Sequence, residues 1–224
     1  MPKQENGLSQ FVLEERLTRI EKVAALRTKS LVVVLDNVHN FHNISAVIRS
    51  AEAFGVNDIY LVGDEFEYNS GISLGTERWV ELARIATAVE AIVRLKSNGF
   101  KIVILEPELL GEKRAGVKCL PVFELPFAEK LALVFGNEKR GVGEEFAKVA
   151  DYTSYIPMYG FVDSFNISVA AGICLFCSSV SGTTAKRNVS VVSEGECEEL
   201  KFRWLKNSVR GSEAILKELK QREN

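Results

Sequence analysis

The run SLVVVLD at residues 30–36 constrains the fold more than any other feature of the chain. Its residues do not alternate apolar with polar, so the strand they form has no face for water. Strands buried on both faces belong to parallel sheets covered by helices. Similar segments follow: DIYLV at 58–62, KIVILE at 101–106, KLALVFG at 130–136 and a short TSYIPM at 153–158. Between them apolar residues recur at helical spacing. Ile44, Val47, Ile48, Ala51 and Phe54 predict a helix over 44–54 that ends at Gly55, with Ser45, Arg49 and Glu52 on its polar face. Thr87 and Glu90 have the spacing of a capping box before a helix that stops at Gly99. Residues 166–181 predict a further, strongly apolar helix. Strands alternating with helices define an α/β fold, a mainly parallel sheet with helices on both faces.

The two ends read differently. Residues 8–28 carry Phe11, Leu13, Leu17, Ile20, Val23, Ala24 and Leu26 among charges, as an amphipathic helix does. Residues 182–193 read as a linker and 194–222 as a charged amphipathic helix. The expected organisation is an N-terminal helical extension at 1–29, a main domain at 30–182, and a linker with C-terminal helix at 183–224. Net charge is −2, yet residues 1–29 hold six basic and four acidic side chains and residues 186–224 nine and seven. Each end is therefore +2 and the middle −6, so a polyanion meets the ends more readily than the body. Mixed-charge solvated helices produce the same numbers. The first residues lack the apolar core of a signal peptide, and no apolar run approaches the roughly 20 residues of a membrane span. A cytoplasmic location without membrane association is the expectation.

Several chemistries are excluded or disfavoured. Cys174 and Cys177 form a C-x-x-C inside the apolar helix, where buried free thiols are expected rather than a redox or zinc site. Cys119 and Cys197 complete no framework. His39 and His42 have no cysteine nearby, so no metal site is expected. No G-x-G-x-x-G follows the first strand. Gly136 and Gly141 have Walker spacing, but Val142 stands where lysine is required.

Three polar clusters remain, each beginning at the carboxyl end of a strand, where open α/β sheets bind ligands. They are DNVHNFHNISAVIRSAEAFG at 36–55, LVFGNEKRGVG at 133–143 and IPMYGFVDSFNISVAAG at 156–172. In the first, Asn43 opens the helix and Arg49 lies further along it. In the second, Gly136 follows the strand, where a glycine lets backbone approach a flat ligand closely. Glu138, Lys139 and Arg140 come next. In the third, Pro157 and Gly160 break a long turn before Ser164 and Asn166, where a helix start presents free N–H groups. Ser164 is also simply a good N-cap residue.

These segments, in this order, resemble the motifs of the SpoU (TrmH) branch of the SPOUT methyltransferases over residues 30–180. Within that branch the chain looks most like the tRNA guanosine 2′-O-methyltransferases, which act in the D-loop. The resemblance implies S-adenosylmethionine as cofactor, a deep C-terminal trefoil knot and a homodimer with sites near the subunit interface. It implies that Asn43, Arg49, Glu138, Ser164 and Asn166 serve catalysis. It implies that Leu105, Glu106, Gly136, Ile156, Met158, Ser164 and Phe165 surround the cofactor; Glu106 either accepts from ribose hydroxyls or stands as a surface acid. Arg49 matches a catalytic arginine. A guanidinium with a pKa above about 12 is an awkward base, so gripping a phosphate beside the target ribose suits it better; proton acceptance is the alternative. Glu138 either pairs with Arg49 or stands free in a charged loop.

GISLGTERWV at 71–80 also resembles the family but departs from its alanine-rich form at Thr76 and Arg78, and Arg140 replaces an uncharged residue. Both departures fall on expected RNA-facing surface and bear on target choice. RNA, most plausibly tRNA, is the expected partner, with ribosomal RNA as the alternative target. A non-catalytic RNA-binding dimer is countered by the intact Arg49, Glu138, Ser164 and Asn166. A small-molecule methyltransferase has no use for the charged terminal helices. The near-uniform apolarity of the 166–181 helix independently predicts a dimer, because one sheet layer cannot cover it.

Overall fold

The computed structural model describes residues 7–63, 75–107, 116–180 and 189–222. Residues 71–74 of the GISLGTERWV segment and most of the expected linker lie outside them. The chain forms two compact units: Thr28–Ser190, and Met1–Arg27 together with Val191–Asn224.

The larger unit is built on strands β1 (Thr28–Asp36), β2 (Val56–Val62), β3 (Glu81–Ile85), β4 (Lys101–Leu105), β5 (Lys118–Pro121), β6 (Leu131–Phe135) and β7 (Tyr152–Tyr155). They form one sheet in the order β3-β2-β1-β6-β4-β7-β5, and every pairing is parallel. The apolar run has the predicted consequence. Leu31, Val33 and Leu35 enter one core with Ile44, Val47, Ile48, Ala171 and Leu175, while Val32 and Val34 enter a second core with Ala91, Leu95 and Phe146. Successive side chains on a strand point to opposite faces, so an unbroken apolar run needs both cores. Helices α2 (Phe41–Ala53) and α5 (Ile167–Ser179) cover the first face; α3 (Ala88–Ser97) and α4 (Glu144–Val149) cover the second.

Local boundaries follow from caps. α2 starts earlier than expected because the Asn40 side chain accepts from the backbone N–H groups of His42 and Asn43, at 3.0 and 3.2 Å. Gly55, at φ 77°, follows its end. Thr87 accepts from Glu90 N at 3.2 Å and caps α3. Asn166, not Ser164, caps α5, its side-chain oxygen accepting from Ser168 N at 2.9 Å. β7 ends at Tyr155 rather than Met158, since Pro157 offers no N–H to a ladder. Ser45 is a correction: it is buried, and its hydroxyl has no partner among the described residues. None of the four cysteines is in a disulfide; burial pushes the thiols of Cys174 and Cys177 up from their ordinary value.

The smaller unit contains α1 (Glu14–Ala24), α6 (Glu194–Ser208) and α7 (Ser212–Arg222). The expected 8–28 helix begins only at Glu14, after a separate helical turn at 7–9. The expected 194–222 helix is two helices, divided where Val209 is extended and Gly211 has φ 73°. Ser193 and Glu196 form a complete capping box before α6. Ile20 and Ala24 are buried with Leu200, Trp204 and Leu205. The buried Arg27 guanidinium lies 5.1 Å from the Trp204 ring centroid, a cation–π contact. No helix among the described residues is long and apolar enough to cross a membrane.

Candidate active site

The cleft opens beside the carboxyl ends of β1 and β6, with a volume of about 870 Å³. Asp36, Asn37, Asn43, Asn137, Glu138 and Asn166 line it, so all three sequence clusters meet there.

β1 delivers Asp36 to the base of the cleft, 1% exposed. One carboxylate oxygen accepts from Gly143 N at 2.7 Å and the other from Asn37 Nδ2 at 2.9 Å. Burial pushes the carboxyl up from its usual range; both hydrogen bonds pull it down, and nearby Glu145 adds to the rise. Asn37 is left-handed, φ 52°, and donates its N–H to Val62 O at 2.8 Å.

β6 delivers Gly136. Its closeness is to its own chain rather than to a ligand. A Cβ there would stand 2.1 Å from Gly141 C and 2.2 Å from Val142 N. Only glycine permits the following loop to fold back. That loop closes through Asn137 N to Gly141 O at 3.0 Å and Gly141 N to Asn137 O at 2.8 Å. It carries Glu138, with Lys139 and Arg140 exposed at the cleft.

Asn43 joins the clusters. Its Nδ2 donates to Glu138 Oε1 at 2.6 Å, and its Oδ1 accepts from Asn166 Nδ2 at 3.1 Å. Asn166 Oδ1 in turn accepts from Ser168 N and Oγ, at 2.9 and 2.6 Å. Glu138 neither pairs with Arg49 nor stands free: it is bonded to Asn43, and Arg49 stands exposed on α2 without an ion pair among the described residues. Ser164 is exposed and bonded to none of these groups.

The remaining candidates gather at a neighbouring sheet edge. Leu105 is in register with Phe135 on one side and Ser154 on the other. Glu106, Gly136 and the Ile156–Met158 segment therefore follow adjacent strand ends. Glu106 N donates to Ser154 O at 3.1 Å. The Ser154 hydroxyl is buried without a partner among the described residues, and buried polar groups ordinarily have one. Ile156, Pro157 and Met158 are half-buried, while Tyr159 to Asn166 are exposed, Phe165 included. His39 lines the cleft; no cluster of three His, Cys, Asp or Glu side chains suited to a metal occurs among the described residues. Asp36, Asn37 and Asn137 are cleft residues that sequence reasoning did not single out. The available signal was position alone, since each lies within or just beyond a strand end and inside a quoted cluster.

Fold and cleft define an α/β protein whose ligand site is assembled at the carboxyl ends of parallel strands. More particularly, the chain belongs to the SpoU rRNA methylase family, whose model matches residues 30–176. A tRNA (guanosine(18)-2′-O)-methyltransferase from Borreliella burgdorferi is 33% identical over 213 residues, covering 93% of this chain and 92% of that one. The crystal structure of the Aquifex aeolicus TrmH/SpoU tRNA modifying enzyme superposes with a TM-score of 0.70 at 32% identity, covering 88% of this chain and 98% of that one. The SpoU methyltransferase AviRb from Streptomyces viridochromogenes, solved with the cofactor AdoMet, has a TM-score of 0.58 at 25% identity, covering 72% and 62%.

Proposed function

We propose that the protein is a methyltransferase that moves a methyl group from S-adenosylmethionine to the 2′-hydroxyl of a guanosine in the tRNA D-loop, position 18 in the naming of its relatives. The observation that carries this reading is the line Glu138–Asn43–Asn166, which draws three sequence-distant family motifs into one cleft.

The residues present fit the cofactor. Adjacent strand ends leave Glu106, Gly136 and Ile156–Met158 on one edge, and the unpartnered Ser154 hydroxyl lies beside them. Glu106 would accept from ribose hydroxyls. Leu105, Ile156, Met158 and Phe165 would supply backbone contacts and an apolar wall to the adenine, with Ser164 beside it. S-adenosylmethionine supplies a sulfonium-bound methyl group open to in-line attack by the ribose oxygen. The chain supplies position. Asn43 holds Glu138 and Asn166 in one arrangement, which removes their freedom before substrate arrives. Arg49, a planar fork free of any intramolecular ion pair among the described residues, grips the phosphate flanking the target ribose and orients the hydroxyl. Lys139 and Arg140 meet neighbouring phosphates. We further infer a homodimer, the family's trefoil knot in the segment beyond β6, and a cytoplasmic site of action. The exposed Tyr159, Phe161 and Val169 support the dimer. The insertion of β6 between β1 and β4, and of β7 between β4 and β5, supports crossing connections.

The test is incubation with labelled S-adenosylmethionine and an unmodified tRNA transcript, followed by nuclease mapping. The expected product is one ribose-methylated guanosine in the D-loop, lost when that nucleotide is 2′-deoxy. Methylation of ribosomal RNA alone would reassign the target; transfer to no RNA by folded, cofactor-binding protein would overturn the reading.

A further inference from the structure

We propose that Asp36, Asn37 and Asn137 are positioning residues: the first two grasp the β6–α4 loop at both ends and thereby set where Glu138 stands relative to Asn43. The proposal deepens the methyl-transfer reading and rests on it for its kinetic consequences.

The grasp is bonded at two points. At the near end of the loop Asn137 Nδ2 donates to the carbonyl of Asn37 at 2.9 Å. The other half of the same amide, Oδ1, accepts from Lys139 N at 2.9 Å and closes the turn that presents Glu138. At the far end Gly143 N donates to Asp36 Oδ2 at 2.7 Å. Two consecutive residues of one strand end thus hold both ends of the segment that carries Glu138. The separations are 100 and 107 residues along the chain, so these bonds tie two motifs together rather than decorating one.

Three features show that the grasp is built. Asn37 is the only non-glycine residue with positive φ among the described residues, 52°. Such backbone is uncommon outside glycine and turns the Asn37 carbonyl toward the loop. Asp36 is buried, where a carboxylate costs solvation unless it is hydrogen-bonded; a neutral amide would fill the same volume more cheaply. What the carboxylate adds is a charge-assisted bond to Gly143 N, shorter and stronger than a neutral one. Finally, a Cβ on Gly143 would stand 2.9 Å from Asp36 Oδ2, so the approach requires the absence of a side chain there. Glu138 itself is exposed and bonded through its carboxylate to Asn43. Without the grasp the loop could carry Glu138 away from α2.

The discriminating variant is Asn137→Asp. It keeps the acceptor for Lys139 N and so the turn, but replaces the donor to Asn37 with an oxygen facing an oxygen. Amide hydrogen exchange over 138–143, affinity for S-adenosylhomocysteine by calorimetry, and kcat and KM for tRNA are read on the full chain. The expectation is faster exchange across 138–143, cofactor-product affinity within about twofold, unchanged KM, and kcat lowered by tenfold to about a hundredfold, the scale of small misplacements. Asn137→Ala, which loses both bonds, should be no better. Wild-type kcat in Asn137→Asp would overturn the proposal, and so would unchanged exchange. If the wild type itself transfers no methyl group to RNA, the functional reading has failed, and exchange alone then decides whether the grasp exists.

Discussion

Two loops leave neighbouring regions of the same sheet edge, and they are finished to different degrees. The loop after β6, Gly136 to Gly143, is bound to its own chain by a bridge across its neck, by Asn37, by Asp36 and, through Glu138, by Asn43. The loop after β7, Ile156 to Asn166, is held at its end by Asn166 on Asn43, while Tyr159 is 98% exposed and Phe161 fully so. Both carry candidate site residues. The first is polar and bonded to its own chain; the second is apolar at its tip and uncovered. An exposed aromatic run beside an α5 face that leaves Val169 48% exposed is surface awaiting another surface. The difference teaches that one half of the proposed site is tied together within a single chain, while the other half presents the apolar surface on which the proposed dimer rests.

The largest effect is expected at α2, which both loops touch through Asn43. Arg49→Ala should lower turnover about a thousandfold, equivalent to about 4 kcal/mol in the barrier. Melting temperature and S-adenosylhomocysteine affinity should hold, because the side chain is exposed and lies on neither loop. Arg49→Lys keeps charge without the fork and should also be badly impaired. Turnover at the wild-type rate in Arg49→Lys would refute the forked grip, and in Arg49→Ala the assignment of Arg49 to the site.

Next comes the self-contained loop. Gly136→Ala drives a methyl group into the Gly141–Val142 backbone, which cannot swing aside as a flexible side chain can. Overpacking of this kind costs about 3 kcal/mol. Thermal unfolding should show the loss, and calorimetry should show weakened cofactor binding. The open loop's counterpart is Val169→Glu. It lies on the exposed α5 face, so the protomer should fold normally while the dimer weakens by about a hundredfold or more, the scale of an interface hot spot. Light scattering against concentration reads this, and a wild-type protein that is monomeric at micromolar concentration would remove the dimer altogether.

Asp36→Asn separates stability from function inside the finished loop. A carboxyl whose folded pKa is raised destabilises the fold once ionised. That cost grows as pH rises from the unfolded value, near 3.8, through the folded value, and is constant above it. The asparagine variant lacks this contribution. Its stability relative to wild type should therefore rise with pH over that window, and at pH 7 it should melt no lower, because the desolvation outweighs the hydrogen bonds in the folded protein. Turnover should fall about tenfold, since the bond to Gly143 N weakens. A variant less stable at pH 7 yet fully active would make Asp36 a stabilising residue without a role in placement.

What was legible in the sequence follows the same division between satisfied and exposed surface. The buried strands β1, β2, β4 and β6 declared themselves as unbroken apolar runs and the helices α2, α3 and α5 by apolar residues, because burial writes a pattern. β3 and β5 did not. They lie at the two edges of the sheet with mixed polarity, ELARI and KCLP, and carry little pattern to read. The six-residue α4 is too short to show one. The polarity of serine assigns Ser45 to the polar face, yet α2 is covered there too. The three clusters that meet in the cleft were visible as motifs. The bonds between them were not: Asn43 to Glu138 spans 95 residues, and no local pattern encodes a contact at that distance. Family position favours a Glu138–Arg49 pair over a free surface acid, and the amide of Asn43 stands where that pairing puts a guanidinium.

The smallest effect sharpens the comparison most directly, since it repeats one substitution in the other loop. Gly160→Ala adds to the β7–α5 loop the methyl group that Gly136→Ala adds to the β6–α4 loop. Gly160 is absent from the glycines with positive φ, and a Cβ there meets no atom within 4 Å. Within one chain nothing opposes the alanine, and it restricts the unfolded chain more than the folded one. Such changes stabilise by about 0.4–1 kcal/mol where the backbone allows them. The protomer should therefore melt at or slightly above the wild-type temperature under conditions that dissociate the dimer. Methylation then reports on what lies outside the protomer. Full activity would mean the loop keeps its clearance when cofactor, tRNA and a second copy are in place. Lost activity at unchanged protomer stability would mean that one of them presses against Gly160, and repeating the dimer and cofactor titrations on the variant would show which. A protomer that melts several degrees lower would contradict the open loop itself, and with it the contrast between the two halves of the site.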